Sequence, residues 1–270
     1  MQFLKCKCLM ILNLSDKGSR LLFFCDIDDS LMTSRRKTKA GRRYLEAAIN
    51  SREEPCSFFS EQHLLLIDLI QRSANFFIPV TGRSSSSLAR VNIRFNSYVI
   101  ASHGAVILTP DLKLSESWRH SIETDITAWQ PELLTLYSRL EAVLPQTLRD
   151  SRISLVWDKG IASYISVKGK PERLNELLEN LDFDLQSLPF QTHLNDRNLA
   201  ILPPYASKAR ALTFLFDEMG LCDTDLTIAL GDSLSDLEFM GLCDMSMCPA
   251  DSQIQRRLQR IFRGRQHGVG

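Results

Sequence analysis

Four short apolar runs in this chain stop abruptly at residues that can bind metal or phosphate. LLFFC (21–25) ends in Asp26, Asp28 and Asp29, and FFIPV (76–80) ends in Thr81-Gly82-Arg83. YVIA (98–101) ends in Ser102-His103-Gly104, and LTIAL (226–230) ends in Gly231-Asp232, with Asp236 four residues further on. Carboxylates crowded into one crevice repel each other and resist ionisation unless a cation neutralises them. An oxygen-only set with two or three carboxylates suits Mg²⁺, which keeps waters and takes remaining ligands from a phosphate. Asp232 and Asp236 fall on one side of a first helical turn if a helix opens near Ser233. Lys208 opens another helical segment, where a cation opposes the macrodipole unless it faces an anion. Taken singly, each feature has a plainer reading: a polar turn for 26–29, dipole complementation for Asp232 and Asp236, a solvated surface lysine for Lys208.

The elements that must bring these residues together follow from the same runs. Continuous apolar stretches of four or five residues read as strands buried on both faces of a parallel sheet. Helical spacing separates several of them, over Glu61–Ser73, Ser84–Asn92 and Ser207–Met219, the last closed by Gly220. The fold expected is a doubly wound α/β core, in which ligands bind outside the carboxyl ends of the strands. Between about Leu112 and Leu202 the rhythm changes to helix (Ile126–Val143), hairpin (Ile153–Trp157 and Ser163–Lys168 around Asp158-Lys159-Gly160), helix (Pro171 to about Leu181), hairpin (Pro189–Leu194 and Asn198–Leu202 around Asn195-Asp196-Arg197). The chain thus divides into an N-terminal extension (1–20), an α/β core (21–111 and 203–270) and an inserted α+β layer (112–202), with Pro203-Pro204 as a stiff exit.

Composition narrows the ligand class. Among 270 residues, 32 basic side chains balance 32 acidic ones, so there is no global electrostatic case for nucleic acid or an anionic membrane, and a small molecule is the default partner. The seven cysteines lack paired zinc-site spacing and read as reduced thiols, and the short apolar run near the N-terminus is too short for a membrane span and lacks a small-residue cleavage site, so neither a span nor a cleavable leader is expected there. A cytoplasmic location is therefore expected. Arg256, Arg257, Arg260, Arg263 and Arg265 read as one face of a solvated terminal helix.

DIDDSL (26–31), Thr81-Gly82-Arg83, Lys208 and GDSLSD (231–236) occur in the order and context of the four motifs of the haloacid dehalogenase-like phosphohydrolases. The long insertion resembles the C2-type cap of the Cof-like and sugar phosphatase branch. TGRS and GDSLSD are similar to sucrose-phosphate phosphatases, and SHGA (102–105) to trehalose-phosphate phosphatases. Two positions depart from the family pattern: Asp29 replaces its usual glycine and Ser235 its common asparagine. The resemblance implies Mg²⁺ held by Asp26, the main-chain carbonyl of Asp28, Asp232 and Asp236, with Asp236 either coordinating through water or orienting Lys208. It also implies phosphate contacts from Thr81 and Lys208. Independently of the name, a carboxylate needs no deprotonation to attack phosphorus, and its acyl phosphate is cleaved by water. Asp26 is therefore the expected nucleophile and Asp28 the general acid and base. Gly82, Arg83 and His103 are expected to line the substrate site, with Lys168, Lys170 and Arg197 as candidates from the insertion. The expected activity is hydrolysis of a small phosphorylated metabolite, with a sugar phosphate as the expected substrate. A phosphomutase of the same architecture and a catalytically idle binding domain are the alternatives; oligomeric state stays open.

Overall fold

The structure, a computed structural model, describes residues 18–147, 151–185 and 188–266. Cys6, Cys8 and most of the expected N-terminal extension lie outside the described residues. At its centre Leu21–Cys25 pairs in parallel with Leu226–Leu230 on one side and Phe76–Pro79 on the other, and Met245–Met247 extends the sheet beyond Leu226–Leu230. Leu22, Phe24 and Cys25 have no exposed surface, as a central strand covered on both faces requires. Val99–Ala101 joins only through a bridge between Val80 and Ile100, and folds back on Val106–Leu108.

Local chemistry explains the helices. Glu61–Ser73 opens with a capping box in which Ser60 accepts from the His63 N–H and His63 Nδ1 accepts from the Ser60 N–H. Lys208–Glu218 is capped by the Ser207 side chain. It ends with Gly220 at φ +55° and Leu221 donating back to Phe216, the 6→1 bond of a Schellman motif. The expected helix over Ser84–Asn92 is shorter, Ser85–Leu88, because Val91 bridges Ala48 and Asn92 donates to Ala47. Residues 33–59, to which the sequence pattern assigns nothing, form a small antiparallel sheet in the order Thr33–Ser34, Pro55–Phe59, Leu45–Ile49. Its strands are short and their register shifts, so no alternation survives to be read.

The insertion folds as a four-stranded antiparallel sheet in the order Gln191–Asn195, Asn198–Leu202, Ile161–Lys168, Arg152–Asp158, with the helices Glu123–Thr147 and Pro171–Leu185. Lys159 and Gly160 both have positive φ, the geometry of a tight type I′ hairpin. Strand periodicity divides the sheet's faces. Ile165, Val167, Leu199 and Ile201 pack with Leu133, Leu136, Leu140 and Leu174 into a core of their own. Tyr164, Ala200 and Leu202, on the other face, join the main core. That second face looks onto the carboxyl ends of the parallel strands. Among the described residues no helix is long and apolar enough to cross a membrane.

Candidate active site

The site is assembled from four loops, each leaving a strand at its carboxyl end. Asp26 keeps its amide in the ladder, donating to the Leu230 carbonyl at 2.8 Å, so its carboxylate is fixed by the sheet. The chain then turns. Asp29 has φ +61°, which explains why glycine is usual at this position and why aspartate, comparatively tolerant of the left-handed region, can replace it. The extra charge meets Lys37, 2.6 Å from Asp29 Oδ2.

Thr81 is buried, with its amide on the Ile100 carbonyl and its carbonyl accepting from the His103 N–H at 3.0 Å. Its Oγ1 accepts from the Arg83 N–H at 3.1 Å, which leaves the hydroxyl proton to be donated. A Cβ on Gly82 would lie 2.5 Å from His103 Nε2, so only glycine lets that ring sit against the loop. Ser102, His103 and Gly104 have consecutive positive φ angles of 50°, 56° and 96°. Such backbone persists only where its surroundings hold it. Here Ser102 donates its amide to the Arg83 carbonyl and its hydroxyl to Asp158, each at 2.7 Å. Gly104 packs so closely on the next element that a Cβ would lie 2.2 Å from the Ser207 carbonyl oxygen. Gly104→Ala is therefore expected to destabilise the protein by about 2–4 kcal/mol through strain and backbone collision, lowering the urea midpoint. A midpoint equal to wild type would show that this contact does not hold the turn.

Gly104 braces the end of the helix that carries Lys208. The Lys208 ammonium is buried and lies 2.8 Å from Asp26 Oδ1 and 2.7 Å from Asp236 Oδ1. This is the anion that its unfavourable place in the helix dipole called for. Asp236 Oδ2 accepts from the Asp232 and Ser233 amides and the Ser233 hydroxyl, so both Asp236 oxygens are engaged. Gly231 permits this fold-back, since a Cβ there would lie 2.7 Å from Asp236 Cβ. Asp232 is also buried, and no hydrogen bond among the described residues reaches its carboxylate. Oxygens of Asp26, Asp232 and Asp236 lie within 4.8 Å of one another.

The electrostatics follow from that crowding. Burial lifts Asp26 well above the usual carboxylate range; Lys208 opposes this and the neighbouring acids add to it. Asp232 is pushed up to about 7 by burial, then by Asp236 and Asp29. Asp236 is buried too, yet Lys208 and the hydrogen bonds from Ser233 hold it below the usual range. One ammonium thus faces three carboxylates, a deficit of positive charge that suits a divalent cation beside Asp26 and Asp232.

The Asp28 carboxylate has a different partner. It is gripped by Arg83, with Nε and one terminal nitrogen each at 2.7 Å, in a planar bidentate fork. Arg83, expected to reach the substrate, here holds Asp28. Lys168 and Arg197 are exposed; Lys168 is four residues beyond Tyr164, about 13 Å along the strand. Three residues that sequence reasoning did not single out for the site come to it from the insertion. Asp158 accepts from the Ser85 amide at 2.7 Å and from the hydroxyls of Ser85 and Ser102. Tyr164 donates to the Gly82 carbonyl at 2.9 Å. The third, His193, has its ring 6.0 Å from that of His103. Asp158 was visible only as hairpin chemistry, and nothing in the local pattern marked Tyr164 or His193.

Comparison with known proteins bears on the family and the fold. The profile of the sucrose-6F-phosphate phosphohydrolase family matches residues 19–259. Among solved structures, the C-terminal domain of trehalose-6-phosphate phosphatase from C. albicans is similar over 85% of this chain and 76% of its own, with TM-score 0.57 and 15% identity. The sucrose-phosphatase of Synechocystis sp., solved with sucrose and phosphate, is similar over 91% of this chain and 98% of its own, with TM-score 0.54 and 16% identity. At these identities the likeness speaks for the fold. A search of curated protein sequences finds no significant match. With the family profile spanning nearly the whole described chain and the motif residues meeting at one end of the parallel sheet, the chain belongs to the sucrose-6F-phosphate phosphohydrolase family of haloacid dehalogenase-like hydrolases and is a phosphoric monoester hydrolase.

Proposed function

We propose that this chain is a Mg²⁺-dependent phosphatase that hydrolyses a sugar phosphate through an aspartyl phosphate on Asp26. The observation that carries this reading is the bridge from Asp26 through Lys208 to Asp236, with carboxylate oxygens of Asp26, Asp232 and Asp236 gathered within 4.8 Å of one another. An Asp26 carboxylate oxygen attacks phosphorus while the ester P–O bond breaks, and Asp28, which takes up a proton when substrate binding parts it from Arg83, gives that proton to the departing alkoxide. Asp28 then takes a proton from water, whose oxygen attacks the phosphorus of the acyl phosphate, releasing inorganic phosphate and restoring Asp26. The Thr81 hydroxyl and the Lys208 ammonium face the non-bridging oxygens and offset the charge that gathers there.

Asp26, Asp232 and the main-chain carbonyl of Asp28 would hold the metal. Bound there, Mg²⁺ supplies further neutralisation of the phosphoryl oxygens. Asp236, with both oxygens engaged, acts by holding Lys208 rather than as a ligand. Arg83 is a positioning residue for Asp28, released from its fork when a substrate arrives. The insertion over 112–202 closes the site against water and selects the leaving group.

The test is phosphate release from sucrose 6F-phosphate, trehalose 6-phosphate and glucose 6-phosphate with Mg²⁺. Turnover of at least one is expected; EDTA stops it, Mg²⁺ restores it, and Ca²⁺ does not, because Ca²⁺ prefers more ligands in looser geometry. Isomerisation without net release would make the chain a mutase. Full activity in EDTA would overturn the metal assignment.

A further inference from the structure

Two imidazoles meet where the inserted layer closes over the core. His103 belongs to the left-handed turn after Val99–Ala101 and rests on Gly82, next to Thr81. His193 stands in the Gln191–Asn195 strand, opposite Ala200 on a neighbour whose Ala200 and Leu202 face the main core. The two ring centroids are 6.0 Å apart, and Tyr164 lies edge-on to His103 at 4.8 Å while its hydroxyl holds the Gly82 carbonyl. The Nδ1 atoms of both histidines are buried without a hydrogen-bond partner. A buried polar atom left unpaired costs about 1–3 kcal/mol, and two in adjacent rings from different layers are not a packing solution.

The surroundings limit what could satisfy them. Burial lowers the pKa of both imidazoles, and the positive charge of Lys208 lowers it further, so both are neutral near pH 7 and lie within the electrostatic reach of the phosphate-binding ammonium. A neutral imidazole offers one N–H donor and one acceptor nitrogen. An anion would find no fixed charge on them, and an apolar group would leave both nitrogens unpaired. A hydroxyl, which donates and accepts at once, pairs with either, and adjacent hydroxyls suit two rings at this spacing. The acidic cluster that could hold a metal ion, among the described residues, is the separate aspartate group.

We propose that His193 and His103 together bind hydroxyl groups of the leaving polyol, and that His193 is the residue through which the inserted layer distinguishes a sugar phosphate from a simple phosphate ester. This rests on the phosphatase reading above and adds to it a specificity residue from the insertion. Sites that hydrogen-bond a substrate hydroxyl reject analogues lacking one, because their own polar atoms are then left unpaired.

The test uses the full chain and two variants. His193→Phe keeps a ring against His103 and removes both nitrogens, whereas His193→Gln keeps a donor and an acceptor. With the most active sugar phosphate of the panel above, His193→Phe is expected to lower kcat/KM by about 10- to 100-fold, and His193→Gln to recover part of the loss. Hydrolysis of p-nitrophenyl phosphate and inhibition by inorganic phosphate should change less than about twofold, since neither presents a sugar hydroxyl. Equal losses on both substrates would mean a structural role, and unchanged discrimination would mean that His193 does not read the sugar; either overturns the proposal. Calorimetric binding of the same sugar phosphates to wild type and His193→Phe separates this question from catalysis. If wild type binds them without turnover the phosphatase reading fails, and the two binding constants still decide the role of His193.

Discussion

Asp26→Asn is expected to lower phosphate release by roughly 10³-fold or more while leaving the fold intact. The amide matches the carboxylate in size and can still accept from Lys208, but it is too weak a nucleophile to form the acyl phosphate. The stability arm is independent of activity. Burial and the neighbouring acids raise the Asp26 pKa in the folded state, so the stability it allows is fully present below the unfolded value and is lost as pH rises toward the folded one. Replacing it removes that loss. In EDTA the variant should therefore match or exceed wild-type stability at pH 7, with the advantage growing as pH is raised above the ordinary carboxylate range. Near-wild-type turnover would remove Asp26 from the nucleophile's role. Lost turnover with a lowered denaturation midpoint would mean that the side chain is needed for folding.

The residues legible in the sequence share a physical cause. Asp26, Thr81 and Asp232 each end a buried apolar strand, and strand ends in a parallel sheet converge, so three local signals predict one three-dimensional site. Lys208 was legible by contradiction, as a cation at the wrong end of a helix dipole, and the contradiction resolves on Asp26 and Asp236. What stayed hidden depends on pairings across long separations. Arg83 reaches back 55 residues to Asp28, and Asp158 reaches back 73 to Ser85. A local reading can only describe Asp158 as a turn residue, although its carboxylate ties the insertion to the core. The small sheet over 33–59 was hidden because irregular register erases period-two alternation. His193 is a polar residue on an outer strand, and the ring it meets lies in the other layer, beyond the reach of a local pattern.

Lys208→Met should lower turnover by a further large factor, about 10²- to 10³-fold, the range seen when one preorganised contact to a developing oxyanion is removed. Methionine approximates the length and volume of the lysine stem, so the loss reports charge. Unlike Asp26→Asn, this change should also destabilise the protein, because it leaves three buried carboxylates without their ammonium. Breaking a buried pair by removing one partner costs about 3–5 kcal/mol. In wild type Lys208 holds Asp236 below its usual range, so that group's contribution is present above the unfolded pKa and is lost as pH falls through the folded one. Without the ammonium, burial governs Asp26 and Asp232 and only the Ser233 hydrogen bonds still oppose it at Asp236, so the folded state favours protonation of the first two and the sign reverses there. The deficit against wild type should be largest at neutral pH in EDTA and shrink as pH falls toward 4. Mg²⁺ should stabilise Lys208→Met more than wild type, since a divalent cation replaces part of the missing charge, but should not restore turnover, because the contact to the phosphate is still missing. A variant as stable as wild type at pH 7 in EDTA would show that the carboxylates do not depend on Lys208. Turnover restored by Mg²⁺ alone would show that the lysine only balances charge and does not touch the transferring phosphoryl group.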